Sequence, residues 1–376
     1  MTATRYLHHT DGRLGLAATP ATQSAANGTD AMPRIDEAIS APTRPLSAGL
    51  GPHGERPASP ETIGLSPEAL RQARDGAFRI AVVLHTTISD WSKRQLAGIR
   101  AGLAEAGAAV VDVTDCAYDA ATQIAAIERL VSHKPDALIS IPFGGSAVSR
   151  AFRAASASGI KLILLDNAPA GLLPESDYVS VISSDNFGLG QIAASLLSPH
   201  VLKGGSVGIV AYKVDFFATA QREIAFCKWM RRERPDVALT QMKFETPAQS
   251  GSAVGPFLDS HPEISGLFVV WDEPAVVSVH EIARRVRRPA VTTVDLGRAV
   301  ADALMRGDVI KGVAAQRPFE QGHAAAIAAV AALTGQNVPA WIMLPGLSVT
   351  AANVAEAYRL VGGEPASPAL MAATES

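Results

Sequence analysis

Six short polar runs each follow an apolar, strand-like stretch of this chain: Thr86-Thr87-Ile88-Ser89-Asp90-Trp91, Asp166-Asn167, Tyr212-Lys213-Val214-Asp215-Phe216-Phe217, Trp271-Asp272-Glu273-Pro274, Val294-Asp295-Leu296-Gly297 and Gln316-Arg317-Pro318-Phe319. Several of them set an aromatic ring beside a carboxylate or amide. That combination suits a neutral sugar or polyol, whose C–H face packs on a ring while its hydroxyls make charge-assisted hydrogen bonds. The chemistry is recognition rather than turnover. Any one run has ordinary turn composition, but six at equivalent strand ends are harder to read that way. Asp166 is a candidate on position alone, because side chains at the carboxyl ends of parallel strands face the crevice where open α/β sheets bind ligands. The polar residues 183–186 follow another strand-like run, but Phe187-Gly188-Leu189-Gly190 leads into a helix-like stretch, so 184–186 are read as its cap.

Catalytic signatures are missing from the sequence. No GxGxxG follows the first strand, no Walker loop, HExxH or GxSxG occurs, and Gly144-Gly145-Ser146 is too short for a phosphate cradle. His85 and Asp90 have the residue types of a general base and its orienter, but no nucleophile lies near them, and His85 is read as structural. The dihistidine His8-His9 has no further ligand around it and is read as incidental. No enzyme activity, cofactor or metal is expected.

The elements that must position the six runs alternate between strand and helix. An unbroken apolar run at 79–84 reads as a strand buried on both faces. It is followed by a helix at 93–106 ending at Gly107, a strand at 110–113, a helix at 120–132, a strand at 137–141, a helix at 146–157 and strands at 162–165 and 178–182. The alternation then restarts. Helices at 188–197, 219–232, 252–261 and 273–284 separate strands at 206–210, 237–243 and 266–270; strands at 290–294 and 310–315 and helices at 298–306 and 320–333 come next, then extended segments near 341–345 and 349. Strands alternating with helices of this length make βαβ units and a parallel sheet. One lobe is complete before residue 290, so later elements must return to the first lobe, and the several crossings make a hinge. The cleft between two such lobes is the natural ligand site.

The 376 residues suit two domains, and 48 % hydrophobic residues suffice for real cores. A net charge of −3 provides no broad positive field for nucleic acid. The chain has no apolar run of the length that spans a bilayer, so it is not expected to be membrane-embedded. The N-terminal stretch has an early arginine but not the apolar core of a secretory signal. Residues 1–66 are rich in Ala, Pro, Gly, Ser and Thr without a sustained period, and are expected to form a disordered or loosely attached leader. Order is expected to begin at Ser66-Pro67-Glu68, an N-cap signature for a short helix. Cys116 and Cys227 lie far apart and are expected to be buried free thiols.

The chain resembles, over about residues 77–360, the ribose-type (type I) periplasmic sugar-binding proteins of bacterial ABC importers. The resemblance is carried by IAVVLHTTISDWSKRQLAGIRAGL from Ile80, LLDNAP, the Ile182-Ser183-Ser184-Asp185-Asn186 run, DFFATAQRE, VVWDEPA, TTVDLG and AAQRPFEQG, in that order and spacing. It implies two similar parallel-sheet lobes joined by three crossover strands, divided as 67–183 plus 316–344 and 184–315 plus 345–362, with a C-terminal tail at 363–376. It further implies closure around a monosaccharide or sugar alcohol, delivery to a membrane permease, a monomer and a periplasmic location, with a cytoplasmic location as the alternative. Matched to the family's binding positions, Asp90 and Trp91 follow the first strand, Asp166 and Asn167 the fourth, and Trp271, Asp272, Asp295 and Gln316 supply second-lobe and hinge contacts. The implied roles are stacking by Trp91, hydroxyl-proton acceptance by Asp166 and Asp295, a hinge bridge by Gln316, and an opposite wall from Phe216 and Phe217. One departure stands out: relatives of this group usually carry a sugar-binding arginine two residues before the Arg-Glu of DFFATAQRE, where this chain has Ala220. Arg222 is the nearest cation and is kept as a candidate ligand contact; because residues two apart on a helix do not share a face, the alternative is that it points elsewhere and anchors its helix. A second reading, the effector-sensing core of a lactose-repressor-type transcription regulator, would need an N-terminal helix-turn-helix, for which residues 1–66 have too little apolar periodicity.

Overall fold

The structure is a computed structural model and describes residues 49–362. The dihistidine and the tail at 363–376 lie outside the described residues. Strand β1 (Arg79–Leu84) shows how the apolar runs work. Ile80, Val82 and Leu84 enter one core layer, Ala81 and Val83 the other, and all five are buried. A strand covered on both faces must be apolar at every position, hence a continuous run rather than an alternation.

Two six-stranded sheets result. The first has the order β11-β5-β4-β3-β1-β2, with β2 at Ala109–Asp115, β3 at Ala137–Ser140, β4 at Lys161–Leu165, β5 at Ser180–Ser184 and β11 at Trp341–Leu344, all parallel. Helices α1 (Pro67–Gly76), α2 (Asp90–Ala106), α3 (Ala120–His133), α4 (Ser149–Ala157) and α10 (Pro318–Leu333) belong with it. The second sheet has the order β12-β10-β9-β8-β6-β7, with β6 at Ser206–Tyr212, β7 at Ala238–Phe244, β8 at Ile264–Val269, β9 at Ala290–Val294, β10 at Ile310–Ala315 and β12 at Leu347–Val349. Only β12 runs antiparallel to its neighbour. Its helices are α5 (Asn186–Leu197), α6 (Phe217–Glu233), α7 (Pro247–Ser260), α8 (Asp272–Ile282), α9 (Arg298–Arg306) and α11 (Val354–Gly362). The chain crosses between lobes at 184–186, 315–318 and 344–347, so the expected two lobes and three crossovers are present.

Several details differ from the sequence reading. Residues 49–66 do not hang free. Ala58 pairs with β11 through bonds to the Trp341 carbonyl (3.0 Å) and from the Met343 N–H (2.9 Å), covering the exposed edge of the first sheet. The Gly49 N–H also reaches Asp185 Oδ1 at 3.1 Å. Helix α2 starts at Asp90, three residues earlier than expected, because Ser89 caps it by accepting from the Ser92 N–H. Strand β5 is displaced two residues toward the C-terminus, and the helix expected at 146–157 is a 3-10 turn, Gly145–Val148, followed by α4. Helix α11 was not anticipated. Cys116 is buried and Cys227 half-buried, both as free thiols.

Helix α10 returns to the first lobe and lies against α2 at backbone contact. A Cβ added at Gly98 would sit 1.9 Å from the Phe319 carbonyl oxygen, and one at Gly322 2.0 Å from the Gln95 carbonyl oxygen. Gly98→Ala is therefore expected to destabilise the fold by about 1–3 kcal/mol through overpacking, read as a lower urea midpoint at unchanged slope. An unchanged midpoint would show that the helices can part without cost.

Candidate ligand-binding site

The carboxyl ends of both sheets face each other across a cavity of about 90 Å³. At roughly 10–15 Å³ per water-sized group, this suits one small ring or a short polyol. Its floor is a continuous polar chain. Ser183 Oγ donates to Asp166 Oδ1 at 2.8 Å, Asn186 Nδ2 donates to Ser183 Oγ at 3.0 Å, and Arg222 Nε donates to Asn186 Oδ1 at 2.8 Å. Arg222 also donates to the Val270 carbonyl at 3.2 Å and pairs with Asp295 Oδ2 at 3.6 Å. Gln316 Nε2 completes the chain on Asp295 Oδ1 at 2.6 Å. The six residues span both lobes and the hinge, and all are buried.

The two strand-end aspartates are held alike. Asp166 and Asp295 have left-handed φ angles of 57° and 73°, and each donates its backbone N–H to the adjacent strand, to Ile182 and Ala314, both at 3.1 Å. A non-glycine residue in this region is strained, which surrounding structure must hold in place, and such strain gathers at functional sites. Asp272, at the start of α8, receives the Gly297 N–H on Oδ2 at 3.1 Å. Burial raises the pKa of all three carboxyls above the ordinary aspartate value; for Asp272 the charges of Asp295 and Glu273 push it well above, whereas Arg222 opposes the rise at Asp295.

Aromatic rings wall the cavity from both lobes. His85 meets Trp91 and Tyr118 edge-on at 5.9 and 5.0 Å, and Tyr118 meets Phe143 at 5.8 Å; opposite them Tyr212 meets Trp271 at 5.0 Å. Burial lowers the His85 pKa to about 4, so its ring is neutral at physiological pH. Gln316 Oε1, Trp91 Nε1 and His85 Nδ1 are buried and have no partner among the described residues. Unpaired buried polar atoms are costly, and three around one cavity mark where a ligand's polar groups belong.

Of the residues expected from sequence, Trp91, Asp166, Phe216, Arg222, Trp271, Asp272, Asp295 and Gln316 line the cavity. Three do not. Asp90, carried onto the first turn of α2 by the early helix start, accepts the Arg298 N–H from the other lobe at 3.0 Å. Asn167 turns inward and donates to the Pro142 carbonyl at 3.2 Å. Phe217 packs edge-on against Trp341 at 6.1 Å, outside the cavity. Of the two directions open to Arg222, the structure has the one into the site. Ala218, Thr219 and Arg222 share the face of α6 that looks into the site, whereas Ala220 is on another face, so alanine at 220 leaves the cavity its cation. The cap reading of 184–186 holds for Asp185, which accepts the Gly188 N–H at 2.8 Å, but Asn186 also orients Arg222. Tyr118, Phe143 and Glu273 are additional lining residues. Tyr118 and Phe143 follow β2 and β3, so the strand-end rule applied to those strands finds them as well.

The lobes touch around this cavity. Besides Asp90 on Arg298, Arg94 of α2 donates to the Leu296 carbonyl at 2.8 Å and lies 4.6 Å over the Tyr358 ring, and Tyr118 Oη donates to Glu273 Oε2 at 3.5 Å.

Residues 80–337 match the family described as periplasmic binding protein domain. The ribose import binding protein RbsB of Bacillus subtilis (strain 168) is 25% identical over 235 residues, covering 62% of this chain and 75% of that protein. Two solved structures share the fold: an ABC transporter solute binding protein from Agrobacterium vitis bound with alpha-D-tagatopyranose, at TM-score 0.68 and 24% identity over 74% of this chain and 96% of that one, and a carbohydrate transporter solute binding protein from Agrobacterium radiobacter in complex with D-arabinose, at TM-score 0.68 and 21% identity over 76% and 98%. With the greater part of its length matched to the family, and with two lobes, three crossovers and a cavity at the strand ends, the chain belongs to the periplasmic binding protein domain family.

Proposed function

We propose that this chain is the solute receptor of a bacterial ABC importer, which captures a monosaccharide or sugar alcohol between its lobes and presents it to a membrane permease without chemical turnover. The observation that carries this reading is the buried polar chain from Asp166 to Gln316, which draws on both lobes and the hinge beneath aromatic walls. A ligand touching both lobes stabilises the closed arrangement by its differential contacts. The relatives are import receptors, and two hold tagatopyranose and D-arabinose, which favours a receptor over a regulator's effector domain. The family supports a periplasmic location and a monomer. Among the described residues no helix is long and apolar enough to cross a membrane.

The test is a thermal-shift screen of the full chain against pentoses, hexoses, deoxy sugars, amino sugars and sugar alcohols. A saturable rise in melting temperature is expected for one class, since a ligand at a hundred times its Kd stabilises the folded state by about 2.7 kcal/mol. Absence of a shift with every class would count against the receptor reading. Trp91→Ala is expected to weaken the ligand found in this way by about tenfold or more in calorimetry, through loss of a ring wall. An unchanged Kd would remove Trp91 from the binding surface. Cell fractionation should recover the protein outside the cytoplasmic membrane, and a wholly cytoplasmic pool would contradict the assigned location.

A further inference from the structure

Carboxylates outnumber cations in the cavity. Asp166, Asp272, Glu273 and Asp295 line it, and among the described residues the cation lining it is Arg222. Arg222 is engaged with Asp295 and Asn186. The nearby Arg94 is directed to the Leu296 carbonyl and the Tyr358 ring. Asp166 accepts the Ser183 hydroxyl and lies in the field of Arg222. Asp272 is held by the backbone N–H groups of Glu273 and Gly297, and the described charges acting on it are those of Asp295 and Glu273. A buried carboxylate in that state is costly unless a positive group joins it.

The unmet hydrogen-bonding groups among the described residues fit a ligand that carries both hydroxyls and an amine, with Trp91 Nε1 an unpaired donor for a hydroxyl oxygen and Gln316 Oε1 an unpaired acceptor. Ser183, Asn186, Gln316 Nε2 and Arg222 Nε all donate within the floor, which directs donors inward. Gln316 Oε1 is left as an acceptor without a partner on a side chain only 3% exposed. A hydroxyl brings one proton and asks for donors in return; an ammonium brings three protons, asks for none, and supplies the missing charge. The rings of Trp271 and Tyr212, edge to face at 5.0 Å beside Asp272, add a surface that favours a cation. Among the described residues no three His, Cys, Asp or Glu side chains are grouped so as to hold a metal ion, so the complement that fits is organic.

We propose that the ligand is an amino-substituted monosaccharide or sugar alcohol whose ammonium is held by Asp272 beside Trp271, with Gln316 Oε1 accepting a further proton from the ligand. This rests on the receptor reading above and narrows its substrate class. An ammonium beside Asp272 would oppose the burial and the neighbouring charges that raise its pKa, and would favour the ionised form.

The experiment is calorimetry of the full chain with matched probes: D-glucosamine, D-galactosamine and D-glucamine, each against its neutral parent (D-glucose, D-galactose, D-glucitol) and against the N-acetyl form, which keeps the nitrogen and removes the charge. At least one amine is expected to bind about tenfold or more tightly than both its neutral partners, and Asp272→Asn is expected to bring that ratio close to one. Parents or N-acetyl forms binding as tightly as the amines would overturn the charge assignment while leaving a sugar receptor standing. No binding by any probe would overturn the amine assignment alone, and the receptor reading would then be decided by the wider thermal-shift screen that includes pentoses and deoxy sugars. A preference for amines that survives Asp272→Asn would overturn the role given to Asp272.

Discussion

Replacing Arg222 with alanine is expected to lower the stability of the protein by about 3–5 kcal/mol and to abolish the ligand-induced rise in melting temperature. Both consequences come from one position in the polar floor. The guanidinium and Asp295 are almost fully enclosed, with side-chain exposures of 5% and 8%, so neither has water to fall back on. Removing one partner of a buried ion pair leaves an uncompensated charge, which costs more than the pair itself contributes. The change also strands the Asn186 oxygen and the Val270 carbonyl that Arg222 now satisfies. Lysine is a poor substitute, because a single ammonium cannot reproduce the planar fork that reaches Asn186, Val270 and Asp295 together. The sign of the pH dependence follows from Asp295. Its pKa is already raised by burial against the pull of Arg222, and without the arginine it rises further. Below the unfolded-state carboxyl range Asp295 is protonated in both folded and unfolded chains, and the variant suffers least. As pH climbs through the raised folded value, ionisation becomes unfavourable in the folded state and the deficit grows. Urea titrations of wild type and Arg222→Ala at about pH 4 and about pH 7.5 should show the gap widening toward neutrality; a gap that is constant or narrows would mean Asp295 is not the group left stranded.

Arg222 also marks where sequence reasoning stops. Strand ends announce themselves, because a run such as 79–84 can be apolar throughout only if it is covered on both faces, and the polar residue that ends it must face the crevice. Asp166, Asp295 and Gln316 were legible for that reason. The direction of Arg222 depends on the phase of α6 and on Asn186, which lies 36 residues away and whose local pattern reads as a helix cap. Asp90 was misplaced by a boundary: one serine cap moved the start of α2 and turned a candidate ligand contact into a contact between lobes. Residues 49–66 have the composition of a loose leader, yet Ala58 finds an unpaired strand edge at Trp341, a pairing that local pattern does not encode. Periodicity and turn chemistry report local physics, and each of these misses was decided by a partner distant in sequence.

Truncating Arg94 to alanine is expected to open the ligand-free protein and to weaken ligand binding by about tenfold, although Arg94 does not line the cavity. Arg94 projects from α2 of the first lobe, is 7% exposed, and reaches the Leu296 carbonyl of the second lobe at 2.8 Å while its guanidinium covers the Tyr358 ring. Asp90, four residues earlier on the same face, takes the Arg298 N–H. Together they form a latch whose parts lie on α2 and on the second-lobe residues 296–298 and 358. The third contact, Tyr118 to Glu273, is longer and exposed, and holds less. A hydrogen bond from a charged donor contributes about 1.5–3 kcal/mol, and a desolvated cation–ring contact adds to it. Losing about 2 kcal/mol from the closed side shifts the closure equilibrium by about thirtyfold, at 1.4 kcal/mol per factor of ten. Where the closed form is favoured by only about two to one, that shift makes it the minor state, and apparent affinity falls with its population, by about tenfold. Small-angle scattering should find the ligand-free variant more extended than wild type, and saturating ligand should restore the wild-type dimensions. If scattering and Kd are both unchanged, the latch does not bias closure. If affinity falls while the ligand-free dimensions stay the same, Arg94 acts on the site through α2 and Trp91 rather than on the hinge equilibrium.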